Sequence, residues 1–278
     1  MARTNMNATR VKPDAARLLT LRVLRRERLS PHIVRVTLGD GDIAHFVPMG
    51  FDQWFRLFLP VSEASLERLP NKLDTLSYLR FLAIAKTERP VLRNYTVRAH
   101  RVDGSEGPEL DVDFVVHGSI DDGTSGPAAT WAQTCRPGDS VALLDEGIAY
   151  NPPPTVAGEV ELVGDETAMP AVAGILASLP RSVTGRAFIE IPHSDDRQEL
   201  DAPAGVDVRW VVRDDRRAVP GAAVMAAAIE AAPHPGGRFH WAAGEQSLPA
   251  AMRRHWVRAG VEKGHISFTG YWKHGGSH

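Results

Sequence analysis

Cysteine is nearly absent from this chain: Cys135 is the single one in 278 residues. That scarcity excludes an intrachain disulfide framework, a CxxC redox pair, a four-cysteine zinc site and a four-cysteine iron–sulfur cluster. If the protein moves electrons, a bound organic cofactor has to carry them. Cys135 itself precedes Arg136 but has no recognisable nucleophile context, so it reads as a structural thiol. Charge of one sign is lacking too. Lys and Arg total 32 against 34 Asp and Glu, a net charge of -2, which leaves no electrostatic footprint for nucleic acid. No run approaches the roughly 20 apolar residues of a membrane span. The most apolar stretch, Ala218 to Ala232, is interrupted by Pro220, Gly221 and Glu230 and reads as an Ala-rich buried helix. Residues 1 to 13 hold no apolar core of the kind a secretory signal needs. A cytoplasmic monomer without membrane or nucleic-acid partners is the expectation. The 11 histidines are scattered, with only His274 and His278 at i,i+4 spacing, so no metal site built by the protein is expected.

What is present is an ordinary globular balance, 43% hydrophobic and 24% charged, over a length that suits two domains. The two halves have different periods. Leu19, Leu21 and Val23 alternate, as do Val34, Val36 and Leu38, and Val112, Phe114 and Val116. Such alternation marks half-buried strands. Turn signals at Ser30-Pro31, Gly39 to Asp42, Asp103-Gly104 and Pro137 to Asp139 separate them, which predicts an antiparallel barrel. Ser62 to Leu79 reads as an insertion with a short helix. Asn151 to Pro154 reads as a stiff proline linker. Beyond it, strands at 159–163, 187–191, 208–212, around Phe239 and Trp241 and around Ile266 and Phe268 alternate with helices. Pro170 opens the first helix, with Ala171, Val172, Ile175, Leu176 and Leu179 on one apolar face. The second spans about 222–231. Ser247 is the predicted N-cap of the third, from Leu248 to Arg258. That alternation implies a parallel sheet of the nucleotide-binding type.

Two constellations carry chemistry. In Arg93-Asn94-Tyr95-Thr96-Val97-Arg98, Arg93 and Tyr95 share one strand face and Thr96 lies on the other. A flavin dinucleotide needs a cation for its pyrophosphate, an aromatic wall and a small donor at the ring edge, and Arg93, Tyr95 and Thr96 offer these. A surface strand with an exposed Arg and a core Tyr is the competing reading. The second is His117-Gly118 followed by Gly126-Pro127-Ala128-Ala129-Thr130-Trp131-Ala132. Gly and Pro before an Ala-rich segment suit a helix N-terminus that a phosphate can approach, or a plain loop-to-helix junction.

Together these motifs resemble the siderophore-interacting proteins, flavin-dependent ferric-siderophore reductases of the ferredoxin-reductase superfamily. Further matches run in order along the chain: Asp52-Gln53-Trp54-Phe55-Arg56-Leu57-Phe58-Leu59-Pro60, Gly164-Asp165-Glu166-Thr167-Ala168-Met169-Pro170-Ala171, Trp210-Val211-Val212-Arg213, Ala243-Gly244-Glu245 and Gly270-Tyr271-Trp272-Lys273-His274-Gly275. The resemblance implies a Greek-key FAD-binding barrel over residues 17–151 and an α/β domain like those that bind NAD(P)H over 156–276, with the isoalloxazine at their junction. It implies that Arg93, Tyr95 and Thr96 hold pyrophosphate and flavin, and that His117, Gly126, Pro127, Ala128, Ala129 and Thr130 hold the phosphate and adenosine side. Asp165, Thr167 and Trp272 fall in loops near the cofactor.

The implied substrate is a ferric siderophore, drawn by Arg56 and Lys273. The implied donor is NADPH, NADH or a ferredoxin, with Arg197, Arg213, Gly244 and Glu245 as candidate nicotinamide contacts. Arg213 and Arg197 also read as solvated arginines on a charged face. Two departures stand out. Ala129 sits where the family often has Ser. Asp145-Glu146-Gly147 replaces a Gly-Pro and basic residue, which weakens attraction for an anionic chelate. Asp165-Glu166 also occupies the place where a dinucleotide domain expects a Gly-rich phosphate loop, and two carboxylates there repel a pyrophosphate.

Overall fold

The computed structural model describes residues 4–14, 17–62, 65–67, 69, 81–85, 87–215, 218–231 and 237–275. Most of the insertion read at Ser62 to Leu79 lies outside the described residues. The chain divides into two compact units: Lys12–Met49 with Gln53–Gly147, and Met1–Val11 with Gly50–Asp52 and Ile148–His278.

The first unit is an antiparallel sheet of seven strands. These are β1 (Leu18–Ser30), β2 (Ile33–Gly39), β3 (Trp54–Leu59), β4 (Val91–Thr96), β5 (Ala99–Gly104), β6 (Gly107–Val115) and β7 (Ser140–Gly147), in the order β4-β3-β7-β1-β2-β6-β5. The two edge strands, β4 and β5, are neighbours in sequence. Val97 N–H donates to Gln53 O at 2.8 Å and the next residue, Arg98, donates to Asp111 O at 2.9 Å. Consecutive residues therefore serve opposite ends of the ladder, so the sheet curls. Helix α1 (Pro127–Thr134) begins with Pro at its first turn, where a missing N–H costs nothing.

The alternation read from sequence holds in the first half of β1, where Leu19, Leu21 and Val23 are buried and Thr20 and Arg22 exposed. It fails in β6. Leu110, Val112 and Phe114 face the apolar core, yet Glu109, Asp111 and Asp113 on the other face are buried as well. Arginines from neighbouring strands cover them. Arg25 forms a two-pronged pair with Glu109 at 2.8 and 2.7 Å, Arg101 bonds Asp111 at 2.7 Å, and Arg35 bonds Asp113 at 2.7 and 2.9 Å. Thr37 adds a hydroxyl to Asp111 at 2.8 Å.

The second unit holds a parallel five-stranded sheet: β8 (Glu159–Gly164), β9 (Thr184–Ile191), β10 (Gly205–Val212), β11 (Phe239–Glu245) and β12 (Ile266–Trp272), ordered β10-β9-β8-β11-β12. Helices α2 (Met169–Ser178), α3 (Ala222–Glu230) and α4 (Ser247–Arg258) connect them. Every neighbouring pair in this sheet runs parallel, as the alternation of strands and helices implied. Edge strand β12 is met by the N-terminal segment: Asn5 N–H donates to Phe268 O at 3.3 Å, and Phe268 N–H donates to the Asn5 side chain at 2.9 Å. Asp52 joins this unit by accepting from the N–H groups of Ala149 and Tyr150 at 2.9 and 2.8 Å and from the Trp241 indole at 3.3 Å.

Two local expectations need correction. Helix α2 does not bury a single face; Ala177 alone of its residues is exposed. Ser247 is not the N-cap of α4. Gln246 takes that position, and the Ser247 hydroxyl and N–H both donate to Glu245, a carboxylate at the helix start where the macrodipole favours negative charge. At the end of the proline run Pro154 opens a short 3-10 turn, Pro154–Val156. No helix of the described residues is long and apolar enough to cross a membrane.

Candidate functional site

In the antiparallel unit, β4, β6 and α1 bring the first two motifs together. The Tyr95 ring lies 4.3 Å from Phe114, centroid to centroid, and Phe114 lies 5.7 Å from Trp131, so an aromatic chain runs from strand to strand to helix. Burial pushes the Tyr95 phenol far above its ordinary range. Arg93, half-buried on β4, donates to the Leu92 carbonyl at 2.8 Å. Thr96, the residue after Tyr95, is buried. His117 is exposed, two residues beyond the end of β6.

The N-terminus of α1 is open. A Cβ added at Gly126 would meet nothing within 4 Å, and no side chain caps the helix. The first turn of a helix leaves N–H groups without intrahelical partners, here those of Ala128 and Ala129, because Pro127 has none to offer and Thr130 N–H already reaches Gly126 O at 2.8 Å. The Ser125 hydroxyl, on the residue before the N-cap Gly126, is buried and has no hydrogen-bond partner among the described residues. An open glycine, free first-turn donors and an orphaned hydroxyl fit a phosphate group. With a cation and an aromatic wall on the same unit, the donor set fits a flavin dinucleotide.

The two cations expected to meet substrate, Arg56 and Lys273, differ in setting. Arg56, on β3, is paired with Glu146 on β7 at 2.7 Å, so its charge is compensated. Asp145 accepts from the Gln53 side chain at 2.9 Å and from Gly147 N–H at 2.9 Å, and burial raises its pKa. Lys273 and Arg197, in the parallel unit, are exposed.

At the carboxyl ends of β8 and β11 the parallel unit gathers charge. Asp165 is fully buried. Its Oδ1 accepts from the Thr167 N–H and hydroxyl at 2.9 and 2.5 Å, and its Oδ2 from Glu245 N–H at 2.6 Å and the Trp272 indole at 3.3 Å. Glu166 is equally buried and accepts from Arg213 at 2.6 Å through one oxygen; its other oxygen has no hydrogen-bond partner among the described residues. Burial, then the neighbouring Asp165 charge, pushes Glu166 up to about 7, against the pull of Arg213. Burial also lowers Glu245's freedom to ionise, but the donors from Ser247 and His274 outweigh it and hold its pKa below the usual range.

The geometry corrects the reading of Arg213 as a nicotinamide cation. It is 6% exposed and bonds Glu190 at 2.7 Å as well as Glu166. Glu190 in turn accepts from Gly221 and Val224 N–H groups at 2.9 Å each, at the start of α3. Asp165 and Thr167 likewise spend their polar atoms on the chain's own groups rather than offering them outward. Sequence reasoning missed Glu190 and Ser125. Glu190 lies in an apolar strand with nothing local to mark it. Ser125 stands directly before the Gly-Pro pair, which was its available signal. Cys135 is buried and its thiol is pushed up to about 11 by that burial, in keeping with a structural role. Among the described residues no cluster of His, Cys, Asp and Glu could hold a metal ion.

Comparison with known proteins places this geometry in context. Residues 22–150 match the model of the siderophore-interacting FAD-binding domain, and residues 157–275 match that of the siderophore-interacting protein. An uncharacterised protein of Mycobacterium tuberculosis is 37% identical over 264 residues, 91% of this chain and 89% of that one. The ferric vibriobactin reductase ViuB of Vibrio cholerae is 31% identical over 260 residues, covering 91% and 88%. Among solved structures, a siderophore utilization protein from T. fusca superposes with a TM-score of 0.77 at 33% identity, covering 97% of each chain. The siderophore-interacting protein SipS from Aeromonas hydrophila gives 0.72 at 28%, covering 94% of each.

Proposed function

The chain belongs to the siderophore-interacting protein family, and from that premise we propose that it is an FAD-dependent reductase whose substrate is iron held as Fe(III) in a siderophore. The observation that carries the proposal is the pairing of a matched FAD-binding domain with an open Gly126 helix start and the Tyr95–Phe114–Trp131 wall in that same unit. When bound, FAD would supply one-electron chemistry toward Fe(III), fed by a hydride from a nicotinamide (two Fe(III) per hydride) or by single electrons from a ferredoxin (one Fe(III) per electron). The chain's own residues bind and orient. Arg93 contributes the cation for the pyrophosphate, Tyr95 the aromatic surface and Thr96 a hydroxyl at the ring edge. Gly126 to Thr130 contribute backbone donors, with His117 at the adenosine side and the curled sheet acting as a barrel wall. No general acid or base is needed at the iron, because Fe(II) binds hard oxygen ligands weakly and leaves once formed.

Arg56 and Lys273 are the cations assigned to the siderophore. The Glu146 partner of Arg56 favours a chelate of low negative charge. The electron donor is a reduced nicotinamide or a ferredoxin, with Arg197 the exposed cation for a nicotinamide phosphate, and the reaction belongs in the cytoplasm, where released Fe(II) is used. The test is anaerobic. Purified protein should be yellow, its flavin should bleach with NADPH, NADH or reduced ferredoxin, and a ferric siderophore should restore the colour while a ferrous chelator traps Fe(II). Protein that stays colourless after incubation with FAD, or reduced flavin that no ferric chelate reoxidises, would sink the proposal.

A further inference from the structure

The four donors that meet the Asp165 carboxylate form an anion site filled from within. They come from three segments: Thr167 from the loop after β8, Glu245 from the end of β11 and Trp272 from the end of β12. Open parallel sheets bind phosphates at this end of their strands through backbone N–H groups that converge on the anion. Here the converging N–H groups of Thr167 and Glu245 point at a carboxylate of the chain itself. Space is taken as well as charge. Gly244 has φ +135°, and a Cβ there would stand 2.5 Å from the Asp165 carboxyl group, so the close backbone approach that a nucleotide site offers to its ligand is made instead to Asp165. Glu166, fully buried beside it, adds a second carboxylate.

We infer that Asp165 is the resident anion of this donor cluster, that a nucleotide phosphate does not enter at the end of β8, and that deleting the carboxylate leaves a site for a small oxyanion such as formate. The inference deepens the donor half of the proposed function: a nicotinamide donor places its phosphates against other loops. It explains in positive terms why acidic residues stand where a Gly-rich phosphate loop is expected. The acid is the occupant of the site, not a defect in it.

The experiment compares holoprotein of the wild type with Asp165→Ala and Asp165→Asn, following melting temperature in sodium formate and in sodium chloride at matched ionic strength. Asp165→Ala should melt several degrees lower than wild type. Formate should raise its melting temperature saturably and roughly tenfold more effectively than chloride, and neither salt should act selectively on the wild type. Equal effects of formate and chloride on Asp165→Ala would overturn the inference. Should that variant fail to fold, Asp165→Asn decides: its amide fills the space but sets an N–H₂ against facing donors, so it should be destabilised and deaf to formate, and a melting temperature equal to wild type would overturn the idea. The wild type alone gives a third reading. Inorganic pyrophosphate should leave its tryptophan fluorescence unchanged, and a saturable change lost on mutating Asp165 would refute the inference. Failure of FAD binding or of iron reduction would count against the reading of function without touching these readouts.

Discussion

Each unit holds a cluster of three buried carboxylates among its buried acids, and the two clusters behave in opposite ways. In the antiparallel unit Glu109, Asp111 and Asp113 face Arg25, Arg35, Arg98 and Arg101. In the parallel unit Glu166 and Glu190 share Arg213 as their ion-pair partner, and Asp165 beside them is met by backbone, hydroxyl and indole donors instead. Both sets are removed from water. The Arg25 hydrogen bonds hold Glu109 far below the usual carboxylate range, whereas burial raises Asp165 and takes Glu166 up to about 7. What decides the sign is the number of cations per buried acid, because desolvation disfavours charge in both places and only a close opposite charge restores it. The first set is a matched ladder that locks strands β1, β2, β5 and β6 together. The second keeps surplus acid, part of which is satisfied by backbone donors and part of which holds a proton.

The largest effect should come from unmatching the ladder. Arg35→Met leaves Asp113 buried with the Arg98 guanidinium 3.5 Å away. Removing one partner of a buried pair costs about 3–5 kcal/mol, and the surviving Arg98 contact puts the expected loss near the lower end, about 3 kcal/mol in a urea unfolding experiment. A loss below about 1 kcal/mol would mean that the ladder is solvated and that the contrast with the parallel unit is false.

The next effect reads the other side of the comparison through pH. Glu166 has an ordinary carboxyl pKa of 4.5 when unfolded and about 7 when folded. Between those values the folded chain keeps a proton the unfolded chain has released, so stability falls as pH rises from 4.5 through 7. Glu166→Gln cannot lose that proton. The variant should lose that falling contribution across this window, a difference from wild type of about 3 kcal/mol by pH 8, measured by denaturant midpoints at several pH values. His240 supplies the opposite slope over an overlapping window, so the Glu166 effect is read as the difference between variant and wild type. Burial pushes it down to about 4, so its contribution is present above 6.5 and is lost as pH falls toward 4. An unchanged slope in Glu166→Gln would show that Arg213 matches this acid as fully as the ladder matches Glu109.

How much of this was legible in the sequence follows from the same contrast. The switch from a two-residue period to alternating strands and helices is a property of local side chains, so the strand and helix order could be read directly. The Arg93–Tyr95 and Gly126–Thr130 motifs stood out because a phosphate and a ring demand particular residue types at fixed spacing, and the fold brings Tyr95 and Trp131 against the same Phe114. The ladder could not, although Glu109, Asp111 and Asp113 alternate in plain view. Alternating acids on a strand ordinarily mean a wet face, and the arginines that dry it lie on other strands, up to 84 residues away. Arg213 failed for the same reason: its partners Glu166 and Glu190 are 47 and 23 residues distant, and only tertiary pairing turns an apparent surface cation into a buried one.

Arg93 tests whether the antiparallel unit keeps a cation outside its ladder. Its guanidinium bonds the Leu92 carbonyl and joins no acid of the ladder. Arg93→Ala should therefore leave unfolding nearly unchanged while weakening FAD binding by about 10- to 100-fold, the worth of a charge-assisted hydrogen bond to phosphate. Flavin fluorescence on reconstitution measures it. A stability loss like that of Arg35→Met, with FAD affinity kept, would move Arg93 into the structural set.

The smallest effect concerns Arg56, which is matched like the ladder yet is assigned to substrate. Its Glu146 partner holds it at 2.7 Å, and the Arg56 side chain is 28% exposed, so the pair lies near solvent and the Coulomb gain is screened. Removing the acid with Glu146→Gln frees one positive charge at little cost in stability. The expected result is a shift in preference, not in overall activity. The rate with a trianionic tris-catecholate iron complex should rise a few-fold relative to that with an uncharged trihydroxamate complex, and the gain should fade at high salt. If the ratio stays fixed at low ionic strength, Arg56 is a sheet-locking arginine of the same kind as Arg35, and the cation that meets the chelate has to be sought at Lys273.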